Sequence, residues 1–105
     1  MGSGEVPVDK VAENKDAFAI RDINPRAPVH ALIIPRKHIP TAAEIEWGHA
    51  EELAGVFVLA SEVARMEGVA ATGYRLAFNV GEAAGMTIPH LHLHLVGGRR
   101  LGAEG

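Results

Sequence analysis

Near its C-terminal end the chain runs Pro89-His90-Leu91-His92-Leu93-His94-Leu95-Val96, with histidine and leucine alternating through six successive positions. A period of two is the period of a β-strand, in which neighbouring side chains point to opposite faces. The stretch therefore reads as a strand with an imidazole face (His90, His92 and His94) and a leucine face (Leu91, Leu93 and Leu95). The leucines require an apolar layer to pack on, and the histidines require an open or polar side.

The rest of the chain supplies such a layer. Leu53, Val56, Phe57, Ala60, Val63 and Ala64 recur at helical spacing between His49 and Glu67, with Gly68 suited to the C′ position of a helix. A second, short helix is expected from Thr41, because Thr41-Ala42-Ala43-Glu44 has the spacing of a capping box. Phe18 to Ile23 and Val29 to Pro35 read as strands separated by the turn Asn24-Pro25-Arg26-Ala27-Pro28, whose prolines fix φ and lack a donor. Tyr74 to Val80 adds a strand, Gly81 to Thr87 a glycine-containing loop, and Lys10 to Ala12 a short edge strand. The order of strands, helix and strands has no repeating βαβ pattern, so the fold class is α+β with an antiparallel sheet of about five strands. Residues 1–10 read as a flexible N-terminus or the remnant of a tag, with one domain from 11 to 105.

Composition narrows the function. At 105 residues there is room for one core. A net charge of -3 gives no general attraction to nucleic acid or to an anionic membrane, so any phosphate binding must be local. The apolar run from Leu53 to Ala64 is too short to span a bilayer. There is no secretory signal at Met1-Gly2-Ser3-Gly4 and no cysteine, which makes a cytoplasmic setting the expectation and removes disulfides and thiolate metal sites.

Three readings of the histidine row compete. It could be a polar sheet face that happens to use a scarce residue. It could be a metal site, since two histidines at i and i+2 can chelate zinc. The outer two would then lie roughly 13–14 Å apart on an unbroken strand, and no carboxylate or cysteine companion is near in sequence. The third reading is nucleophilic catalysis on phosphorus. A neutral imidazole attacks well near neutral pH, and a neighbouring ring can stabilise phosphate oxygens or protonate a leaving group. The loop Gly81-Glu82-Ala83-Ala84-Gly85-Met86-Thr87 favours the third. Its glycines would let backbone N–H groups approach an anion, Gly85 among them, and Thr87 offers a hydroxyl.

His90-Leu91-His92-Leu93-His94-Leu95-Val96 resembles the histidine triad motif of the HIT superfamily. Asp22-Ile23-Asn24-Pro25, the run from His30 to Ile39, and Asn79-Val80-Gly81 are similar to their counterparts in its Hint-like branch. The likeness runs from about Val11 to Arg99. Gly97-Gly98-Arg99 points to that branch rather than to the Fhit-like dinucleoside polyphosphate hydrolases. The resemblance implies a HIT-like fold with one long and one short helix, a homodimer, and hydrolysis of purine nucleoside 5′-phosphoramidates or related nucleotide conjugates. It implies that His92 attacks the α-phosphorus to give a nucleotidyl-histidine, that His94 meets the leaving-group bridge with Thr87 close by, and that His90 and His30 form a buried relay. It also implies that Asp22 holds the ribose hydroxyls, that Ile20, Arg21 and Ile23 border the purine, and that Asn79 lies on the phosphate side. A dinucleoside polyphosphate hydrolase or nucleotidyl transferase would use the same covalent step, and a nucleotide-binding or scaffold protein would need no nucleophile.

The sequence departs from the family pattern at four places. Met86-Thr87 replaces a Gln-Ser or Gln-Thr pair, and Ile20 stands where an aromatic is frequent. The sequence ends Arg100-Leu101-Gly102-Ala103-Glu104-Gly105 instead of in Trp-Pro-Pro-Gly, a tail that shapes the leaving-group side, so the leaving group stays open. The Cys-x-x-Cys pair of some bacterial relatives is missing. No cofactor and no metal are therefore expected.

Overall fold

A computed structural model describes residues 10–86 and 88–102. It contains β1 (Lys10–Glu13), β2 (Ala17–Arg21), β3 (Val29–Pro35), α1 (Ala50–Met66), β4 (Tyr74–Ala77) and β5 (Leu93–Gly97). Short 3₁₀ turns lie at Ala42–Glu44, Trp47–His49 and Glu82–Ala84. The five strands form one antiparallel sheet in the order β1-β2-β3-β5-β4. This is the α+β sheet expected from the sequence. The second helix is shorter than a regular one, reduced to the 3₁₀ turn at Ala42–Glu44.

The two faces of the sheet divide the work. Ala17, Ala19, Ala31, Ile33, Leu93 and Leu95 pack against Val56, Leu59, Ala60, Val63 and Ala64 of α1. Small residues on the strands let the helix lie close. At the nearest approach a Cβ on Gly55 would stand 2.5 Å from Asp16 Cβ, so glycine fits where larger residues would collide. Asn14 fixes that junction: its Oδ1 accepts from the N–H groups of Asp16 (2.9 Å) and Ala17 (2.8 Å), and its Nδ2 donates to Gly55 O (3.1 Å). Directly paired residues share a face, so Ile20, Leu32, His94 and Ala77 form a row across the opposite side.

Regular pairing in β5 begins only at Leu93, although the alternation predicts a strand from Pro89. The partners run out. β4 ends opposite His94, and beyond Ile33 the neighbouring β3 offers Ile34 and then Pro35, which has no N–H to give. Residues 90–92 lie outside the ladder, with the Leu91 N–H donating to Ile39 O at 2.6 Å. Thr41 does not cap the turn after it; its hydroxyl is buried without a partner among the described residues. The box forms instead at Glu46 and His49, where Glu46 N–H donates to His49 Nδ1 at 3.1 Å.

Candidate active site

His30 on β3 and His94 on β5 are 4% and 8% exposed, the only buried polar side chains among the described residues of the core. Their rings meet at 3.0 Å, His30 Nε2 to His94 Nδ1. The proton between them can be placed. The Arg26 N–H donates to His30 Nδ1 at 3.1 Å, so in the neutral ring the hydrogen lies on Nε2 and points at His94 Nδ1. His94 therefore carries its own hydrogen on Nε2. That atom faces the Asn79 amide at 3.3 Å, and an N–H there requires the amide oxygen, not the NH₂, to be its partner. Burial, followed by the charges of His92, His30 and Arg26, drives the His94 pKa down to about 4, against a small opposing pull from Asp22. Burial likewise lowers His30, with Asp22 opposing and Arg26 assisting. Both rings are thus held neutral.

His92 is half-buried, its ring centroid 5.1 Å from that of His94. Its Nδ1–H donates to His90 O at 2.7 Å, which leaves Nε2 with a bare lone pair. His90 itself stands apart from the buried pair. Its Nε2–H donates to Pro35 O at 3.2 Å, so its Nδ1 accepts from His38 Nδ1–H at 3.3 Å. The buried pair is thus His30 and His94, not the His30 and His90 that the resemblance implies, and His90 contributes its main-chain carbonyl to His92. His38, in the run from His30 to Ile39, is exposed and buttresses the residue that supplies that carbonyl. No sequence signal links it to His90; the Leu91 N–H bond to Ile39 O brings the two segments together.

The expected nucleotide contacts scatter. Ile20 lies in the row with His94, but Arg21, one residue on, points to the other side and pairs with Glu67 at 3.0 Å near the end of α1. Strand alternation makes it impossible for both to border one pocket from a regular β2. Ile23 is 90% exposed. Asp22 directs Oδ2 to His30 Nε2 at 3.3 Å and accepts the Asn24 N–H on Oδ1 at 2.9 Å. The loop amides expected to approach an anion are already committed: those of Ala84 and Met86 bond to Gly81 O, and that of Gly85 to Glu82 O. Gly85 is required for another reason, its positive φ of 87° closing the 3₁₀ turn. Thr87 lies outside the described residues.

The fold supplies the carboxylate companion that the linear sequence lacks. Ligand atoms of Asp22, His30 and His94 all lie within 4.8 Å of one another, the composition of a small metal site. The His30–His94 hydrogen bond uses the lone pair that an ion would need, and the same short distances serve proton transfer without one. No described helix is long and apolar enough to cross a membrane.

The family profile of the HIT domain matches residues 3–101. The chain is 42% identical over 98 residues to the purine nucleoside phosphoramidase of Escherichia coli strain K12, covering 93% of this chain and 82% of that one. It is 46% identical over 100 residues to an uncharacterised 13.2 kDa HIT-like protein of Azospirillum brasilense, with 94% and 82% covered. Among solved structures, a HIT family hydrolase from Legionella pneumophila superposes with a TM-score of 0.90 at 45% identity, covering 94% of this chain and 88% of that one. A HIT family hydrolase from Clostridium thermocellum gives 0.90 at 46% identity, with 95% and 87% covered. The histidine-bearing sheet, its single main helix and these likenesses agree: the chain belongs to the HIT domain family.

Proposed function

We propose that this HIT protein hydrolyses purine nucleoside 5′-phosphoramidates through a covalent nucleotidyl-histidine at His92. The observation that carries the proposal is the 2.7 Å bond from His92 Nδ1 to His90 O, which presents Nε2 unprotonated for attack. In the first step Nε2 bonds to the α-phosphorus and the P–N bond breaks. The amine departs with the electron pair and takes the hydrogen from His94 Nε2, while the His30 Nε2 hydrogen passes to His94 Nδ1 and a solvent proton replaces it on the His30 ring, so that both imidazoles end neutral. In the second step water attacks the same phosphorus, His94 Nε2 accepts its proton, and the His92 lone pair is restored. His30 supplies a hydrogen to His94 Nδ1 in the first step and takes it back in the second, switching His94 between the two tautomers the steps need.

The apolar floor of Ile20 and Leu32 beside His94 suits a purine. We assign Asp22 to the ribose and Asn79 to the phosphate side, as the family resemblance implies, with Ile23, Gly85 and Thr87 as further nucleotide contacts. The similarity to the E. coli phosphoramidase supports the bond type. A cytoplasmic homodimer working without metal completes the proposal.

The test is rapid-quench labelling with an adenosine phosphoramidate labelled at phosphorus. Wild type is expected to form an acid-labile adduct in the first turnover, and His92→Asn to form none while losing several orders of magnitude in turnover. Labelling of His92→Asn, or near wild-type turnover, overturns the mechanism in favour of a nucleotide-binding protein.

A further inference from the structure

The carbonyl that fixes the His92 tautomer belongs to a stretch the sheet does not hold. His90 O accepts the His92 Nδ1–H at 2.7 Å, yet residues 90–92 lie outside the ladder of β5. A peptide plane without ladder bonds is free to rotate, and rotation of this one would release the His92 ring to its other tautomer. Its orientation must come from another part of the fold.

It comes from the end of β3 and the residues just after it. The peptide unit that ends in His90 O carries the Leu91 N–H on its other side, and that N–H donates to Ile39 O at 2.6 Å. The His90 ring is held at both nitrogens. Nε2–H donates to Pro35 O at 3.2 Å, and Nδ1 accepts from His38 Nδ1–H at 3.3 Å. The two rings meet edge-on at 84°, with centroids 4.9 Å apart. The bracket itself is stiff. Pro35 and Ile39 are fully buried, and between them the Arg36 N–H donates to Asp16 O at 2.9 Å. Hydrogen bonds joined through one amide polarise each other, so the bond at Ile39 also makes His90 O a stronger acceptor and His92 Nε2 richer in electrons. His38 is exposed and takes no part in the core, so its bond to His90 is what it contributes here.

We propose that His38 is a positioning residue for the nucleophile. It acts through His90: its donor locks the His90 ring, the locked ring and the Ile39 bond fix the 90–91 peptide, and the fixed carbonyl keeps the hydrogen of His92 on Nδ1 and Nε2 bare. This rests on the phosphoramidase reading and adds the residue that sustains its geometry. The tautomer of His92 can be read without turnover, so the two can fail separately.

Two variants test it. His38→Leu removes the donor, and His38→Asn keeps an N–H at the same distance along the side chain as Nδ1. Nitrogen NMR of the histidine rings, recorded at alkaline pH where the rings are neutral and assigned with His92→Asn, reports which His92 nitrogen bears the hydrogen. Wild type and His38→Asn are expected to show one protonated and one bare nitrogen, well separated. In His38→Leu the two signals are expected to converge as the tautomers exchange. With adenosine phosphoramidate, kcat is expected to fall about tenfold in His38→Leu at unchanged KM, the range of one hydrogen bond, and to return most of the way in His38→Asn. Because the ring is exposed, folding is not at stake, and a melting curve verifies this. A His38→Leu protein with wild-type His92 nitrogens overturns the inference, whether or not its kcat falls, and leaves the phosphoramidase reading standing. A wild type that does not turn over the phosphoramidate overturns that reading, and converging nitrogens in His38→Leu then still uphold the role of His38.

Discussion

The chemistry turns on where three hydrogens sit. One main-chain N–H, that of Arg26, sets the tautomer of His30, which sets that of His94; one main-chain carbonyl, that of His90, sets the tautomer of His92. A pH dependence follows. His94 holds its pKa at about 4, below the ordinary value of 6.5, so the folded protein binds fewer protons here than the unfolded chain. Stability from this group is fully present above about 6.5 and is lost as pH falls through the window down to about 4. The whole shift corresponds to on the order of 3 kcal/mol. Denaturant titrations across pH 4–7 are expected to show that loss, and His94→Gln to flatten it. Asp22 provides a second test. Its carboxylate sits 3.3 Å from His30 Nε2, yet its proposed partner is the ribose. Asp22→Ala should raise KM and erase discrimination between ribose and 2′-deoxyribose substrates. A fall in kcat with discrimination intact would tie the carboxylate to His30 alone.

At the scale of elements, the contact that sets the register of the helix on the sheet is the approach of Gly55 to Asp16. Gly55→Ala would ordinarily strengthen a helix, but here the new Cβ meets Asp16 Cβ at 2.5 Å. Overpacking of this kind costs about 1–3 kcal/mol, equivalent to a drop in Tm of several degrees for a chain of this size. Chemical unfolding that finds Gly55→Ala more stable than wild type would show that the turn yields freely. The elements themselves were legible where pattern and partner agree. Val29 to Pro35 is the strand the apolar run predicts, and α1 differs from its predicted limits by one residue at each end. The sequence misleads where tertiary partners end. The His-Leu alternation continues past the last available N–H of β3, so His90 and His92 leave the ladder and only His94 stays in it. That is why His38, Asp22 and Arg26, distant in sequence, join the histidines in ways the motif alone does not reveal. Arg21, adjacent to Ile20, faces away from it by the ordinary alternation of β2.

For the whole molecule, the two edges of the sheet are not alike. β1 carries Lys10 and Glu13 and has an irregular register between Lys10 and Ala12, features that discourage further pairing. β4 is short but regular, and its outer edge is unpaired among the described residues. Beside it the surface is apolar: Phe78 follows β4 and meets Phe57 of α1 edge-on at 6.2 Å, and Phe57 and the adjacent Val58 are 43% and 57% exposed. An unpaired edge continuous with an exposed apolar helix face is the surface expected of a twofold dimer, in which β4 meets its own copy and the two helices cover each other. Light scattering at micromolar concentration is expected to give twice the 11.1 kDa chain mass. Val58→Glu places a charge on that helix face without touching the core. It is expected to return the protein to a single chain with an unchanged far-ultraviolet spectrum. A wild type that scatters as 11.1 kDa, or a Val58→Glu variant that stays paired, would rule out this face as the interface.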